Sequence, residues 1–127
     1  GRTAANLNIE MVSRPDSLAG GTSRAWLTGF DRSTMGATLR DAGIPVVPDP
    51  RPAQGFFERS DNIVFARRGI PAHTLSSFEP HADYHTPGDE AERADPAHLA
   101  GVSAAAARAV RLLADGPAPT WVAGGRP

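Results

Sequence analysis

The last regular segment of this chain limits its fold more than any other. Asp95 can cap a helix, Pro96 suits its first turn and Gly116 can close it, while Leu99, Val102, Ala106, Val110 and Leu113 form one apolar stripe. A helix with a single apolar stripe has to lie on another apolar surface. The runs left to build that surface are short. Residues 4–12 alternate, with Leu7, Ile9 and Met11 on one face and Asn8 and Glu10 on the other, as in a half-buried strand. Residues 25–29, 44–47 and 70–76 read as three more strands, and Pro45 puts the second of these at an edge. Between them, Ser33 can cap a helix carrying Met35, Leu39 and Ala42 and closed by Gly43. Ser60 and Asp61 open another, with Ile63, Val64 and Phe65 behind them and Gly69 at its end. Strands alternating with helices predict an α/β fold whose sheet is covered on its faces.

The remaining composition narrows what such a domain does. At 127 residues the chain is one domain or a piece of one, and residues 1–116 read as that unit, followed by a Pro/Gly-rich tail, 117–127, without a core-forming pattern. A strand that opens almost at the first residue points to the C-terminal portion of something longer. With no cysteine, any metal must rest on His, Asp and Glu. A net charge of -1 gives no general electrostatic attraction to nucleic acid or to an anionic membrane, so neither is expected as a partner. No apolar run approaches the roughly 20 residues a membrane helix needs. All 13 basic residues are Arg, which reads as compositional bias rather than chemistry.

Chemistry concentrates in the long irregular stretch 77–92, which holds His81, Tyr84 and His85 close together. A neutral imidazole such as that of His85 is a good zinc ligand, and Asp89, across a Thr-Pro-Gly turn, can fold back to hold its second ring nitrogen. The Tyr84 phenol can donate to a developing oxyanion. Spacing alone leaves open a surface histidine held by a turn, and a Glu10 that is merely solvated or ion-paired on the polar face of its strand.

Four landmarks in order sharpen this reading. Residues 8–14 (Asn-Ile-Glu-Met-Val-Ser-Arg), 59–62 (Arg-Ser-Asp-Asn), 69–72 (Gly-Ile-Pro-Ala) and 84–89 (Tyr-His-Thr-Pro-Gly-Asp) resemble, in sequence order, the C-terminal part of the co-catalytic di-zinc aminopeptidases. The relatives of that family include glutamate carboxypeptidase, glutaminyl cyclase and the transferrin receptor ectodomain. The resemblance runs from about residue 4 to 114 and implies a mixed sheet with helices on both faces. It makes His85 a ligand of one zinc ion and puts Glu10 where the family has an Asp ligand of the other, one methylene longer. It gives Tyr84 the part of polarising the substrate carbonyl, Asp89 and Asp61 supporting parts, and Arg59 a contact with substrate. Asn62 departs from the family's usual His. Phe57, with Phe56, is a candidate wall of a substrate pocket or simply part of the core. Trp26, Trp121, His73 and His98 read as structural.

The resemblance also implies ligands that this sequence lacks. The family's first His, its bridging Asp and its Glu-Glu pair lie upstream of the opening strand; here no His precedes His73 and no Glu-Glu occurs. The expectation is therefore a zinc-dependent aminopeptidase, with two ions in the intact protein, whose present chain binds zinc weakly and is inactive alone. Two other readings stay open: a non-catalytic binding module on the same fold, and a glutaminyl-cyclase-like acyltransferase. Peptide is the expected substrate, and an exposed sheet edge invites a homo-oligomer or a partner chain. The family is commonly exported, which makes a secreted or periplasmic location the expectation.

Overall fold

The computed structural model describes residues 3–127. Four strands, β1 (Asn6–Ile9), β2 (Ala25–Leu27), β3 (Val46–Pro48) and β4 (Ala72–Ser76), form one sheet in the order β1-β4-β2-β3. β1 runs parallel to β4 and β3 parallel to β2, while β2 and β4 are antiparallel, so the sheet is mixed. β3 lies at an edge, where Pro45 and Pro48 remove no hydrogen bond that a central strand would need. Because side chains alternate across a strand, β2 feeds both faces of the sheet. Ala25 and Leu27 join Leu75 on one face, under Met35, Leu39, Val102, Ala105 and Ala109. Trp26 lies on the other, in a cluster with Ala19 and Phe56.

The helices divide accordingly. α1 (Thr34–Asp41) and α4 (Pro96–Asp115) cover the first face, and α2 (Phe56–Arg59) and α3 (Asn62–Ala66) cover the second. The expected caps are present: the Ser33 side chain accepts from the Met35 amide and that of Asp95 from the His98 amide. Gly43, at φ 71°, ends α1 in the left-handed region that glycine adopts without penalty.

The helix expected to open at Ser60 and Asp61 is α3; a short helix that was not expected, α2, precedes it from Phe56 after a left-handed Gly55, and the two are separated where Ser60 turns extended. Two expectations change. Asp61 sits at the N-cap of α3 but its side chain makes no capping bond; its backbone is already helical, where a capping residue is extended. The stripe of α4 is rotated from its reading: His98, Val102, Ala105, Ala106 and Ala109 are buried, while Leu99 and Val110 are 38% and 49% exposed. Small residues let this helix lie close to its neighbours, and Gly101 meets Ser23 where any Cβ would collide.

After α4 the chain returns along the domain. Trp121 forms an antiparallel bridge with Ser33, its indole N–H donates to the Gly69 carbonyl at 2.9 Å, and its ring packs edge-on against Phe57. The Pro/Gly composition of this segment gave no sign of that docking.

Candidate active site

β1 and β4 end side by side because they are parallel, and two chemically distinct segments leave from there. Glu10 follows β1 directly, and its amide donates to the Leu75 carbonyl of β4. Ser76 and Ser77 lead from β4 into the long loop that carries Tyr84 and His85. A cleft of about 80 Å3 opens at this end, lined by Glu10, Arg59 and Tyr84 together with Phe56, Ser60 and Phe78. Three residues singled out from the sequence, far apart along the chain, thus share one cleft.

A chain of hydrogen bonds, buried at Asn62 and Thr74 and half-buried at Asn8, aims Glu10. The Asn8 amide donates to one Glu10 carboxylate oxygen at 2.8 Å and to the Thr74 hydroxyl at 3.1 Å. Thr74 in turn donates to the side-chain oxygen of Asn62 at 2.9 Å, and the Asn62 amide donates to the carbonyls of Phe57 and Ala72. Asn62 and Thr74 are wholly buried, so their part of this network is dry and its donors and acceptors are matched. The residue that replaces the family's usual His is therefore a structural hub that reaches the site only through Thr74 and Asn8.

The loop side is more open. Tyr84 is 40% exposed; its ring lies 5.0 Å from that of Phe78 and 3.8 Å from that of His85, centroid to centroid. His85 is held at φ 58° and Met11, next to Glu10, at φ 53°, both unusual for residues other than glycine. Two of the three such residues among the described ones therefore flank or form the expected ligand positions.

Other candidates fall elsewhere. Asp89 does not turn back to His85: its carboxylate accepts from the Arg14 guanidinium at 2.6 Å, where a full positive charge is a stronger partner than a neutral ring. Phe57 does not line the Glu10 cleft. It is 4% exposed and packs against His73 and Trp121, with the Arg32 guanidinium 4.3 Å above its ring. Successive residues of a helix point about 100° apart, so Phe56 takes the cleft and Phe57 the core. Arg59 donates to the Gln54 carbonyl at 3.1 Å and lies over Phe56, leaving part of its guanidinium free at the cleft.

His73 and His98 are structural. His73 donates from Nδ1 to the Thr28 carbonyl and accepts at Nε2 from the Ser33 hydroxyl at 2.6 Å, and burial lowers its pKa from 6.5 to about 4. His98 accepts at Nδ1 from the Ser23 amide and donates from Nε2 to Ser77, and burial likewise lowers its pKa. Both are neutral spacers at ordinary pH. Sequence reading passed over Phe78, although an aromatic just after a strand and before a His-rich loop was the available signal.

Among the described residues, no group of three or more His, Asp or Glu side chains is placed to hold a metal ion. Glu10 and His85 fit as contributors to a metal site: one is a carboxylate with a single oxygen engaged by Asn8, the other an exposed imidazole. They do not make a closed one by themselves.

A mixed sheet between helix layers, with Glu10, Arg59 and Tyr84 lining one cleft beyond two strand ends, defines an α/β domain. The profile of peptidase family M28 matches residues 1–110, and the chain belongs to that family. No curated protein and no solved structure matches it.

Proposed function

We propose that the intact protein is a zinc-dependent aminopeptidase, removing N-terminal residues from peptides, and that this chain carries the carbonyl-binding side of its site. The convergence of Glu10, Arg59 and Tyr84 on one cleft, in a member of peptidase family M28, is the observation that supports this most. Glu10 and His85 would hold metal, with further ligands from outside the described residues. Zinc, when bound, polarises the scissile carbonyl and supplies a water acidic enough to attack near neutral pH.

The chain's own residues have the remaining tasks. Asn8 holds one Glu10 oxygen and so fixes which lone pairs face the cleft. Tyr84 donates its phenolic proton toward the oxygen of the tetrahedral adduct, where charge develops. The free edge of Arg59 orients a substrate carbonyl or carboxylate, and Phe56 and Phe78 give an apolar wall to the side chain being released.

Two donors bind zinc weakly, so the 127-residue chain by itself holds less than one equivalent and shows no turnover. Elemental mass spectrometry after dialysis tests this, with wild type beside His85→Ala and Glu10→Ala. The expected result is substoichiometric zinc that disappears in both variants, and no release of p-nitroaniline from Leu-p-nitroanilide. Two tightly held equivalents per chain, or zinc unchanged by both substitutions, would overturn the assignment. In the intact protein, peptides starting with Leu against those starting with Gln separate peptidase from cyclase chemistry.

A further inference from the structure

We infer that Arg14 is a positioning residue that holds the Tyr84–His85 loop in register with Glu10. This rests on the peptidase reading for its purpose, though not for its geometry. The guanidinium of Arg14 reaches Asp89 at 2.6 Å and Asp83 at 3.5 Å, so it grips the loop immediately before Tyr84 and four residues after His85. Between those two points the loop is held mainly by its own turns, in which Thr86 bonds back to Asp83 and Asp89 to Thr86. Arg93 also approaches Asp83, at 3.6 Å, but among the described residues only Arg14 spans both ends.

The other end of the clasp is fixed. The Arg14 carbonyl accepts from the Ser77 hydroxyl at 2.7 Å, Ser77 accepts from the buried His98, and the preceding Ser13 carbonyl accepts from the Asp95 amide at 2.8 Å. The backbone of Arg14 is thereby pinned to β4 and to the start of α4, leaving the side chain to carry the loop. Arg14 also lies only four residues beyond Glu10, so the same short segment presents the carboxylate and clasps the phenol and imidazole. A planar guanidinium can bond two carboxylates at once; an ammonium at the same place is a point charge and suits one.

Tyr84 is the only tyrosine, so 3-fluorotyrosine labelling gives a single 19F resonance from the site. In wild type that line is expected away from its position in the urea-unfolded chain, because the ring packs on Phe78 and His85. In Arg14→Ala the line is expected to fall to the unfolded position while the amide spectrum of the sheet stays native. Arg14→Lys keeps part of the displacement, and the swap Arg14→Asp with Asp89→Arg recovers it, which a general packing role would not do. A line unmoved in Arg14→Ala overturns the inference. Should that variant not fold, Asp83→Asn with Asp89→Asn, both on the loop, decides by the same line. Titrating Zn2+ against the same resonance, expected to move wild type and not His85→Ala, tests the peptidase reading separately.

Discussion

Asn62 shows how a single side chain ties the fold to the cleft. It satisfies the carbonyls of Phe57 and Ala72 and the hydroxyl of Thr74, and through Thr74 and Asn8 it is linked to Glu10. Each net hydrogen bond is worth only about 1 kcal/mol, but a buried group left without a partner costs about 1–3 kcal/mol. Asn62→Ala is therefore expected to destabilise the chain by about 3 kcal/mol, read as a lower urea midpoint at unchanged slope. Asn62→Asp keeps the size, removes both amide hydrogens and sets a carboxylate against two carbonyls, so it should be worse than Ala. An Asp variant as stable as wild type would show that water reaches the site. None of this was legible beforehand, since the sequence marks Asn62 only as a departure from a motif. Glu10, Tyr84 and Arg59 were legible because motif order carries position. Their partners were not, because hydrogen bonds across 66 residues of chain leave no local pattern.

Secondary structure was readable where capping and period agree, as in α1 and α4, and misread where they do not. Nothing around Phe56 has helical period, and α2 exists because Gly55 turns the chain and the two aromatics bury on different sides. In α4 the apolar stripe was set by the large residues, yet the buried face is the alanine-rich one, because the core it joins already carries large side chains such as Leu27, Met35, Leu39 and Leu75. Gly101 marks a close approach: a Cβ there would collide with the Ser23 hydroxyl oxygen and stand 2.5 Å from its Cβ. Ser23 is itself at φ 61° and donates its amide to His98, so it is not free to retreat. Gly101→Ala gains helix propensity on paper, by about 1 kcal/mol. The collision should outweigh that and leave a net loss of about 1–3 kcal/mol. Gly101→Ala with Ser23→Gly removes the colliding side chain and should recover most of the loss; thermal unfolding of the pair distinguishes the two terms.

The segment beyond residue 116 closes the domain over a fully buried titratable group, His73. Trp121 lies 5.7 Å from the His73 ring, Phe57 lies 5.8 Å from it, and the Ser33–Trp121 bridge seals the side on which Ser33 donates to the imidazole. In this enclosure desolvation lowers the His73 pKa to about 4, with the Arg32 charge acting in the same direction and the Thr28 carbonyl against it. The unfolded chain binds this proton near pH 6.5 and the folded chain only near 4, so below 6.5 the unfolded state holds more protons and stability falls. The loss should begin near pH 6.5, grow down to about 4 and stop there, reaching about 3 kcal/mol from His73 alone. His98, also lowered by burial, adds in the same direction. Asp49 opposes it, since burial raises its pKa and the folded state then holds its proton more tightly. The difference between wild type and His73→Gln isolates the His73 part, because Gln offers a donor and an acceptor without titrating. Urea midpoints of the two proteins, measured from pH 4 to 7.5, should converge as pH falls, with wild type losing its advantage. Parallel profiles would mean that the imidazole takes up its proton as readily in the fold as in the unfolded chain, and that the C-terminal segment does not keep it dry.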